Sequence, residues 1–365
     1  MKRQELRTMR LGLGFGILGA VVAMAACGGG AASKPPEAPQ QPASATTSPT
    51  DDSASTPGGK KIEGPIAPAS SDDVKKGIAA LKAGDVNGAK AAFEVAVQKN
   101  PKQADAHHYL GLVNDQIGNK AEAEKNYKAA LELQPDLEES AVNLAAILVE
   151  TGRYDEAVTL MKKAIAKNPK NAALQVNLGM ALSGKNDVDG ANRAFEEAIK
   201  LEPNNGIHLV TYASHLARNN KKDEAVTKLK QAEKVSSNDA GVLASVALEY
   251  KGLKDFKQCV AVLDKAVHLK DVAELRIYRG TCKLGLKDLS GATTEFKDAV
   301  AKEPNNALAH YSLGNALADG GNLTDAISEW ETYLKLAPDG PQAKAAEKKI
   351  AIAKAKAKAG GATKK

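Results

Sequence analysis

The sequence predicts an all-α protein, a solenoid of repeated helix hairpins, on three observations. Small, small, large and small residues recur at a period of 34 over most of the 365 residues. Aromatic residues are only 4% of the chain, which favours thin, closely packed helical layers over the thick core of a compact enzyme. Prolines close most repeats, where each would stop a helix. These features predict eight hairpins over residues 70–340, then a closing helix.

The first predicted element is a signal peptide over residues 1–26. A basic start, "MKRQELRTMR", precedes an apolar run from Leu11 to Ala26. As a helix this run would rise about 24 Å, short of the roughly 30 Å hydrocarbon layer of a membrane. Within the predicted signal peptide, four basic residues against Glu5 carry +3 of the formal net charge of +6. The +3 left after removal is too small to indicate a nucleic-acid partner.

Residues 24–27, "MAAC", resemble a bacterial lipobox, which implies that Cys27 becomes the lipid-modified N-terminus. Met24 stands where that family most often has Leu. The alternative is ordinary signal peptidase, since Ala23, Met24 and Ala25 also fit its A-x-A site, and the protein would then be secreted. Residues 27–69, rich in Gly, Pro, Ser, Ala and Thr, are predicted to be a disordered, lipid-anchored tether. Because Gly28 is not the Asp of an inner-membrane retention signal, we expect anchoring at the outer membrane, facing the periplasm.

The repeat predicts two helices in each unit of residues 70–340. A small residue of the first helix faces a small residue of the second, and a large residue four positions later fills the gap towards the next hairpin. The first-helix positions are Gly77, Gly111, Ala145, Gly179, Ala213, Ala247, Gly280 and Gly314. The second-helix positions are Ala89, Ala123, Ala157, Ala191, Ala225, Cys259, Ala292 and Ala326. The large residues are Phe93, Tyr127, Met161, Phe195, Leu229, Leu263, Phe296 and Trp330.

This pattern resembles the tetratricopeptide repeat (TPR), with units starting near residues 70, 104, 138, 172, 206, 240, 273 and 307. The resemblance implies a right-handed superhelix whose concave face is lined by the first helices. The chain departs from the family where it prefers Trp. That position holds Asp73, His107, Ala141, Gln175, Leu209, Leu243, Arg276 and His310.

The junction between units six and seven departs from the repeat. The step there is 33, Asp271 replaces the closing proline, and Arg276 and Arg279 stand where first-helix packing residues belong. One interpretation is a looser junction or pivot. The other is a shortened loop with its arginines extended outward into solvent.

Residues 341–359 are predicted to form a capping helix, followed by a disordered basic tail at 360–365. An apolar stripe of Ala343, Ala346, Ile350, Ala353 and Ala357 would face the array, with lysines opposite. The basic stretch from Lys348 to Lys365 could bind anionic lipid, polysaccharide or an acidic partner. It could equally be the solvated face of the helix and a frayed end.

The sequence offers no catalytic set, metal site or cofactor motif, so we expect no enzyme activity and no cofactor beyond a lipid on Cys27. His107 and His108 are adjacent and would diverge on a helix, and His208 and His215 lack a third ligand. Cys259 and Cys282 lie on helices expected to touch, in an exported chain in which a disulfide could form. The interpretation favoured by the sequence is two small buried residues in place of Ala.

The resemblance places a partner-binding groove on the first helices. Apolar residues would take side chains of a bound peptide, and a ladder of amides and hydroxyls would bind its backbone. The alternative is that Asn at the ladder position only favours the fold. The predicted groove consists of Leu112, Val142, Asn143, Ala146, Val176, Asn177, Met180, Val210, Thr211, Ser214, Ser245, Leu248 and Ile277.

These features predict a lipid-anchored scaffold of the cell envelope that binds a partner protein or extended peptide, with no nucleic-acid or small-molecule ligand. It resembles TPR lipoproteins that help to assemble pilus secretins or gliding-motility machines. The hypothesis is therefore assembly of a motility, pilus or secretion apparatus. The alternative is a TPR lipoprotein that recruits or regulates peptidoglycan hydrolases or synthases.

Overall fold

The computed structural model describes residues 71–362, with side chains described as far as Lys356. This part of the chain contains seventeen α-helices and no strand, which confirms the predicted all-α solenoid class. The predicted signal peptide, Cys27, the tether and the last three residues lie outside the described residues. The helices are α1 (Asp72–Ala83), α2 (Val86–Lys99), α3 (Ala104–Gln116), α4 (Lys120–Leu133), α5 (Glu138–Glu150), α6 (Tyr154–Lys167), α7 (Ala172–Gly184), α8 (Val188–Leu201), α9 (Gly206–Arg218), α10 (Lys222–Val235), α11 (Ala240–Gly252), α12 (Phe256–Leu269), α13 (Ala273–Gly285), α14 (Leu289–Lys302), α15 (Ala307–Asp319), α16 (Leu323–Leu336) and α17 (Ala343–Ala362).

Each odd-numbered helix up to α15 packs against the even-numbered helix that follows, which gives eight hairpins in the described residues. The hairpins belong to two compact units that divide after Pro169. The N-terminal unit holds hairpins 1 to 3. The C-terminal unit holds hairpins 4 to 8 and α17.

Short polar side chains start many of the helices. The Asp187 carboxylate accepts a hydrogen bond from the Gly190 amide at 2.9 Å, at the beginning of α8. Asp288 does the same for the Gly291 amide at 2.9 Å, at the beginning of α14. Such caps satisfy amides that have no partner within the helix, so the sequence specifies where the helices begin.

Glycine and an aromatic ring hold the two helices of several hairpins together. A Cβ atom built on Gly280 would lie 2.6 Å from Cε1 of Phe296, and one on Gly111 would lie 2.8 Å from Cδ1 of Tyr127. Both distances are shorter than any real contact of that kind, so only glycine admits the ring at these positions. This close approach is the physical basis of the small-and-large pattern in the sequence.

The predicted capping helix is α17, which packs on hairpin 8. Ala343, Ala346, Ile350 and Ala353 are buried in the same cluster as Trp330. Ala357, the fifth residue of the predicted stripe, lies beyond the described side chains. The stripe closes the apolar end of the C-terminal unit, as a terminal helix of a repeat array must.

At the junction between hairpins 6 and 7 the arginines do not extend outward into solvent, so that prediction is wrong, while the pivot stays a prediction. The side chains of Arg276 and Arg279 are only 16% and 14% exposed. Arg276 Nη1 lies 3.4 Å, and Arg279 Nη2 2.7 Å, from the Glu295 carboxylate on α14. The arginines turn inward because this buried carboxylate compensates their charge, and a single sequence does not reveal that pairing.

Cys259 on α12 and Cys282 on α13 are joined by a disulfide, with their Cα atoms 6.1 Å apart. Both residues are fully buried. The interpretation favoured by the sequence, two unpaired substitutes for Ala, is therefore wrong about pairing, although the cysteines do fill small-residue positions. Sequence spacing could not give the Cα separation on which a disulfide depends.

Candidate partner-binding surface

The first helices of successive hairpins lie against one another within each unit. In the N-terminal unit α3 contacts α5, and in the C-terminal unit the contacts run from α7 through α9, α11 and α13 to α15. We call the side of these first helices on which the predicted groove residues lie the inner surface. Neighbouring first helices are close enough for residues on adjacent helices to act on one bound segment.

In the N-terminal unit, the inner surface brings together the four groove residues predicted there. Leu112 on α3 is buried, whereas Val142, Asn143 and Ala146 on α5 are partly exposed. The side-chain amide nitrogen of Asn143 has no hydrogen-bond partner in the described residues. This nitrogen is itself buried, so a peptide carbonyl reaches it only if the side chain rotates outward, and pairing would then relieve the cost of an unpaired buried N–H.

The C-terminal unit buries most of the groove residues predicted in it. Val176, Val210 and Ile277 are at most 4% exposed, so they pack beneath the inner surface and a ligand cannot contact them directly. Met180 and Leu248 keep part of their side chains exposed, and they are the apolar groups that a ligand could reach.

The predicted polar ladder in the C-terminal unit already donates its hydrogens within the fold. Each donor binds the carbonyl four residues earlier in its own helix, at 2.8 to 2.9 Å. The two hydroxyls then offer a ligand only an oxygen acceptor, whereas the amide keeps its second N–H. These donors are Asn177, Thr211 and Ser245. Asn143 differs from the other ladder residues in that its amide nitrogen has no partner in the described residues, and its role in peptide binding stays a prediction.

Glu249 is a polar residue of the inner surface that the sequence reasoning missed. Burial raises the pKa of this carboxyl, while a hydrogen bond from Ser214 and the charge of Arg218 act in the opposite direction. Ser214, a predicted groove residue, is thus engaged with Glu249 on the next first helix. The repeat register could have flagged Glu249, because the equivalent positions in other hairpins hold apolar residues such as Val113 and Ile147.

Tyr278 on α13 was also missed, although it continues the ladder register from Ser245. Its hydroxyl donates to Glu274 at 2.7 Å, and burial raises the pKa of the phenol, with the nearby Glu274 carboxylate adding to the effect. The change from amides and hydroxyls to a phenol hid the continuation. Together with Glu249, it makes the inner surface of this unit more polar and aromatic than predicted.

The described residues carry groups suited to binding an extended segment by side-chain and backbone contacts. Within them, no cluster of three His, Cys, Asp or Glu residues is placed to hold a metal ion. None of the helices between residues 71 and 362 combines the length and apolar character needed to cross a bilayer.

Comparisons with known proteins agree with this architecture. The family model of the cilia and flagella-associated protein 70 C-terminal domain matches residues 71–315, and a tetratricopeptide repeat model matches residues 283–350. Among solved structures, yeast Tom70 is similar with a TM-score of 0.63 and 18% identity, covering 82% of this chain and 67% of Tom70. A tetratricopeptide repeat protein from Parabacteroides merdae ATCC 43184 gives a TM-score of 0.49 and 18% identity, covering 67% of this chain and 98% of that one. The comparison with curated proteins returned no match. At these identities the Tom70 similarity shows the fold alone.

Proposed function

Since the chain belongs to the tetratricopeptide repeat family, through the model of the cilia and flagella-associated protein 70 C-terminal domain, we propose that it is a non-enzymatic scaffold. It binds a partner protein or an extended peptide on its inner surface. The unpartnered amide donor of Asn143, beside the partly exposed Val142 and Ala146, is the observation that carries this proposal. An extended peptide supplies both the carbonyl and the apolar side chain that this arrangement can accept.

Matched substitutions in the full chain test the inner surface. Val142→Glu and Leu248→Glu place a charge on the inner surface of each unit, at partly exposed positions that tolerate it. Leu133→Glu and Leu269→Glu are the controls, because both residues are already exposed near the ends of second helices. Losing one buried aliphatic contact weakens binding by roughly tenfold or more. Recovery of partner after crosslinking in intact cells should fall for the inner variants alone.

Unchanged recovery in both inner variants, with helicity retained, would remove the inner surface as the binding site. Equal losses in the inner and control variants would mean that charge anywhere on the array disturbs capture. Either result contradicts the proposal.

The proposal includes an envelope location, with a lipid on Cys27 and the array facing the periplasm from the outer membrane. Its support is the sequence around Cys27 and the polar composition of residues 27–69. Palmitate labelling before and after Cys27→Ala tests it, and the label should disappear in the variant. Label that survives would exclude Cys27 as the attachment point, and absence of label in the unsubstituted chain would favour secretion.

The partner is proposed to be a component of a motility, pilus or secretion apparatus, which the scaffold helps to assemble. Recruitment of a peptidoglycan hydrolase or synthase is the alternative. The identity of the protein crosslinked to the inner surface decides between them.

A further inference from the structure

The outer side of α17 carries a line of four exposed residues. Lys344, Lys348, Ile352 and Lys356 are all exposed, and their spacing of four puts them on one face of the helix. Ile352 is 47% exposed, which is the highest value, shared with Ile117, among the large apolar residues described.

Other lysines of α17 have partners and do not belong to this face. Lys349 Nζ donates to the Asn315 side chain at 2.6 Å and lies over the ring of Tyr311. Lys354 pairs with Glu331 at 2.8 Å. By contrast, Lys344, Lys348 and Lys356 have no acidic partner in the described residues. The face therefore has uncompensated positive charge around one apolar side chain.

A second copy of the chain is a poor occupant for this face. The first helix of the described residues, α1, offers charges that are already paired, such as Lys75 with Asp72 at 2.9 Å. It presents no uncompensated acidic surface that would attract the α17 lysines. The charge pattern instead requires an external anion.

The exposed side chain of Ile352 favours a lipid surface over a soluble polyanion as the ligand of this face. A polyanion would engage the lysines and leave the isoleucine in water. A bilayer accepts both, because lysine heads reach the headgroups while an apolar side chain enters the boundary with the acyl chains. The exposed alanines at 345, 351 and 355 let the helix backbone approach such a surface closely.

We propose that the outer face of α17 binds the anionic headgroups of a phospholipid bilayer. This contact does not depend on a lipid at Cys27. Residues 344 to 365 contain eight lysines and one acidic residue, Glu347, so the net charge of this stretch is also positive. Each lysine near an anionic surface contributes on the order of 1 kcal/mol, so three contribute roughly 100-fold in affinity.

Vesicle co-sedimentation of the full chain carrying Cys27→Ser tests the proposal without any contribution from an N-terminal lipid. The chain should bind vesicles containing phosphatidylglycerol and not vesicles of phosphatidylcholine alone. Replacing Lys344, Lys348 and Lys356 by Gln should lower the affinity by roughly 100-fold. The matched control replaces Lys75, Lys76 and Lys82 on α1 by Gln, which removes the same charge and should leave binding unchanged.

Two further arms separate lipid from other anions. Ile352→Ser should weaken vesicle binding several-fold, and inorganic phosphate at matched ionic strength should not compete. The proposal is overturned if both triple variants lose binding equally. It is also overturned if Ile352→Ser has no effect, or if phosphate competes, because the face would then be a general anion site. Circular dichroism of each variant confirms that the helices are retained.

Discussion

In hairpins 2 and 7, a side chain of the first helix bonds both to the preceding linker and to the second helix, but with different residues. We call each of these sites a corner. In hairpin 2, His107 Nε2 lies 2.9 Å from the Pro101 carbonyl and Nδ1 lies 3.2 Å from the Asn126 side chain. In hairpin 7, Arg276 reaches both Asp271 at 2.6 Å and Glu295 at 3.4 Å. Asn126 and Glu295 each follow the residue that they pair with by 19 positions.

Hairpin 8 repeats the arrangement of hairpin 2 with a carboxylate in place of the amide. His310 lies 2.8 Å from the Pro304 carbonyl and 2.6 Å from Glu329, again 19 positions later. In hairpins 2, 7 and 8, the register where the resemblance implies Trp thus forms a polar brace from the first helix to the preceding linker and to the second helix. In hairpin 7, whose linker lacks its proline, Asp271 supplies the acceptor and arginine replaces histidine. The departure from the repeat therefore reinforces the junction.

The largest expected effect comes from removing Glu295, the buried centre of the hairpin 7 corner. Glu295→Ala leaves Arg276, Arg279 and Lys283 without their shared carboxylate, whose side chain is only 5% exposed. Breaking a buried charge network of this kind costs about 3–5 kcal/mol. Denaturant unfolding of the variant measures the loss. Lys297→Ala, at an exposed position on the same helix, is the control and should stay within about 0.5 kcal/mol. A loss for Glu295→Ala no larger than the control's would show that the network is not structural.

The disulfide is expected to contribute next. It closes a separation of 23 residues between Cys259 and Cys282, for which the loop-entropy model gives about 3 kcal/mol. Reductant should lower the unfolding midpoint of the unsubstituted chain. It should not change that of the Cys259→Ala, Cys282→Ala double variant, where Ala restores the residue found at both registers in other hairpins. A midpoint insensitive to reductant in the unsubstituted chain would contradict the assignment.

Acid should weaken the hairpin 7 corner. Hydrogen bonds from Arg276 and Lys302 hold the pKa of Asp271 well below its usual range. Burial alone would raise the pKa of Glu295, but hydrogen bonds from Arg279 and Lys283 outweigh it, so the pKa of Glu295 is also lowered. Both contributions are present above the unfolded-state pKa values of about 4 and are lost as the pH falls through the lower folded-state values.

The unfolding midpoint should therefore fall less steeply below pH ~4 in an Asp271→Asn, Glu295→Gln variant than in the unsubstituted chain. Thermal unfolding across an acid series measures the two slopes. Parallel slopes would mean that neither carboxylate is linked to folding.

The smallest effect concerns the turns between paired helices. Lys287 in hairpin 7 has a φ of 64°, a left-handed conformation, and Gly321 takes the same register in hairpin 8 with a φ of 82°. Lys287→Gly should stabilise the chain by about 0.5 kcal/mol, since relief of the strained backbone exceeds the entropy lost with glycine. The reciprocal Gly321→Lys should destabilise it by about 1 kcal/mol. Chemical denaturation resolves the two signs, and effects of the same sign would contradict this account of the turns.

The periodic features of the fold could be predicted from the sequence because they rest on size and spacing. The Gly280 and Phe296 contact and the eight hairpins follow from which side chains fit at a period of 34, and the buried stripe of α17 follows from its helical spacing. Pairwise chemistry could not be predicted in the same way. The inward turn of Arg279 depends on a carboxylate 16 positions away.

The candidate surface was predicted only in part, for a related reason. Register identified which residues lie on the first helices, and Asn143, Met180 and Leu248 do remain partly exposed. It could not distinguish these from Val176, which the adjacent helices cover completely. Nor could the register show that the Thr211 hydroxyl donates its hydrogen to the Ile207 carbonyl of its own helix.

Native-state hydrogen exchange across the C-terminal unit tests the central claim most directly, namely that the array is a preformed scaffold whose irregular junction is reinforced. Amides of α13 should be protected at least as strongly as those of α11 and α15, because the disulfide and the Glu295 network hold α13 on both sides. Loss of α13 protection before that of its two neighbours would identify the junction as a hinge and contradict the account.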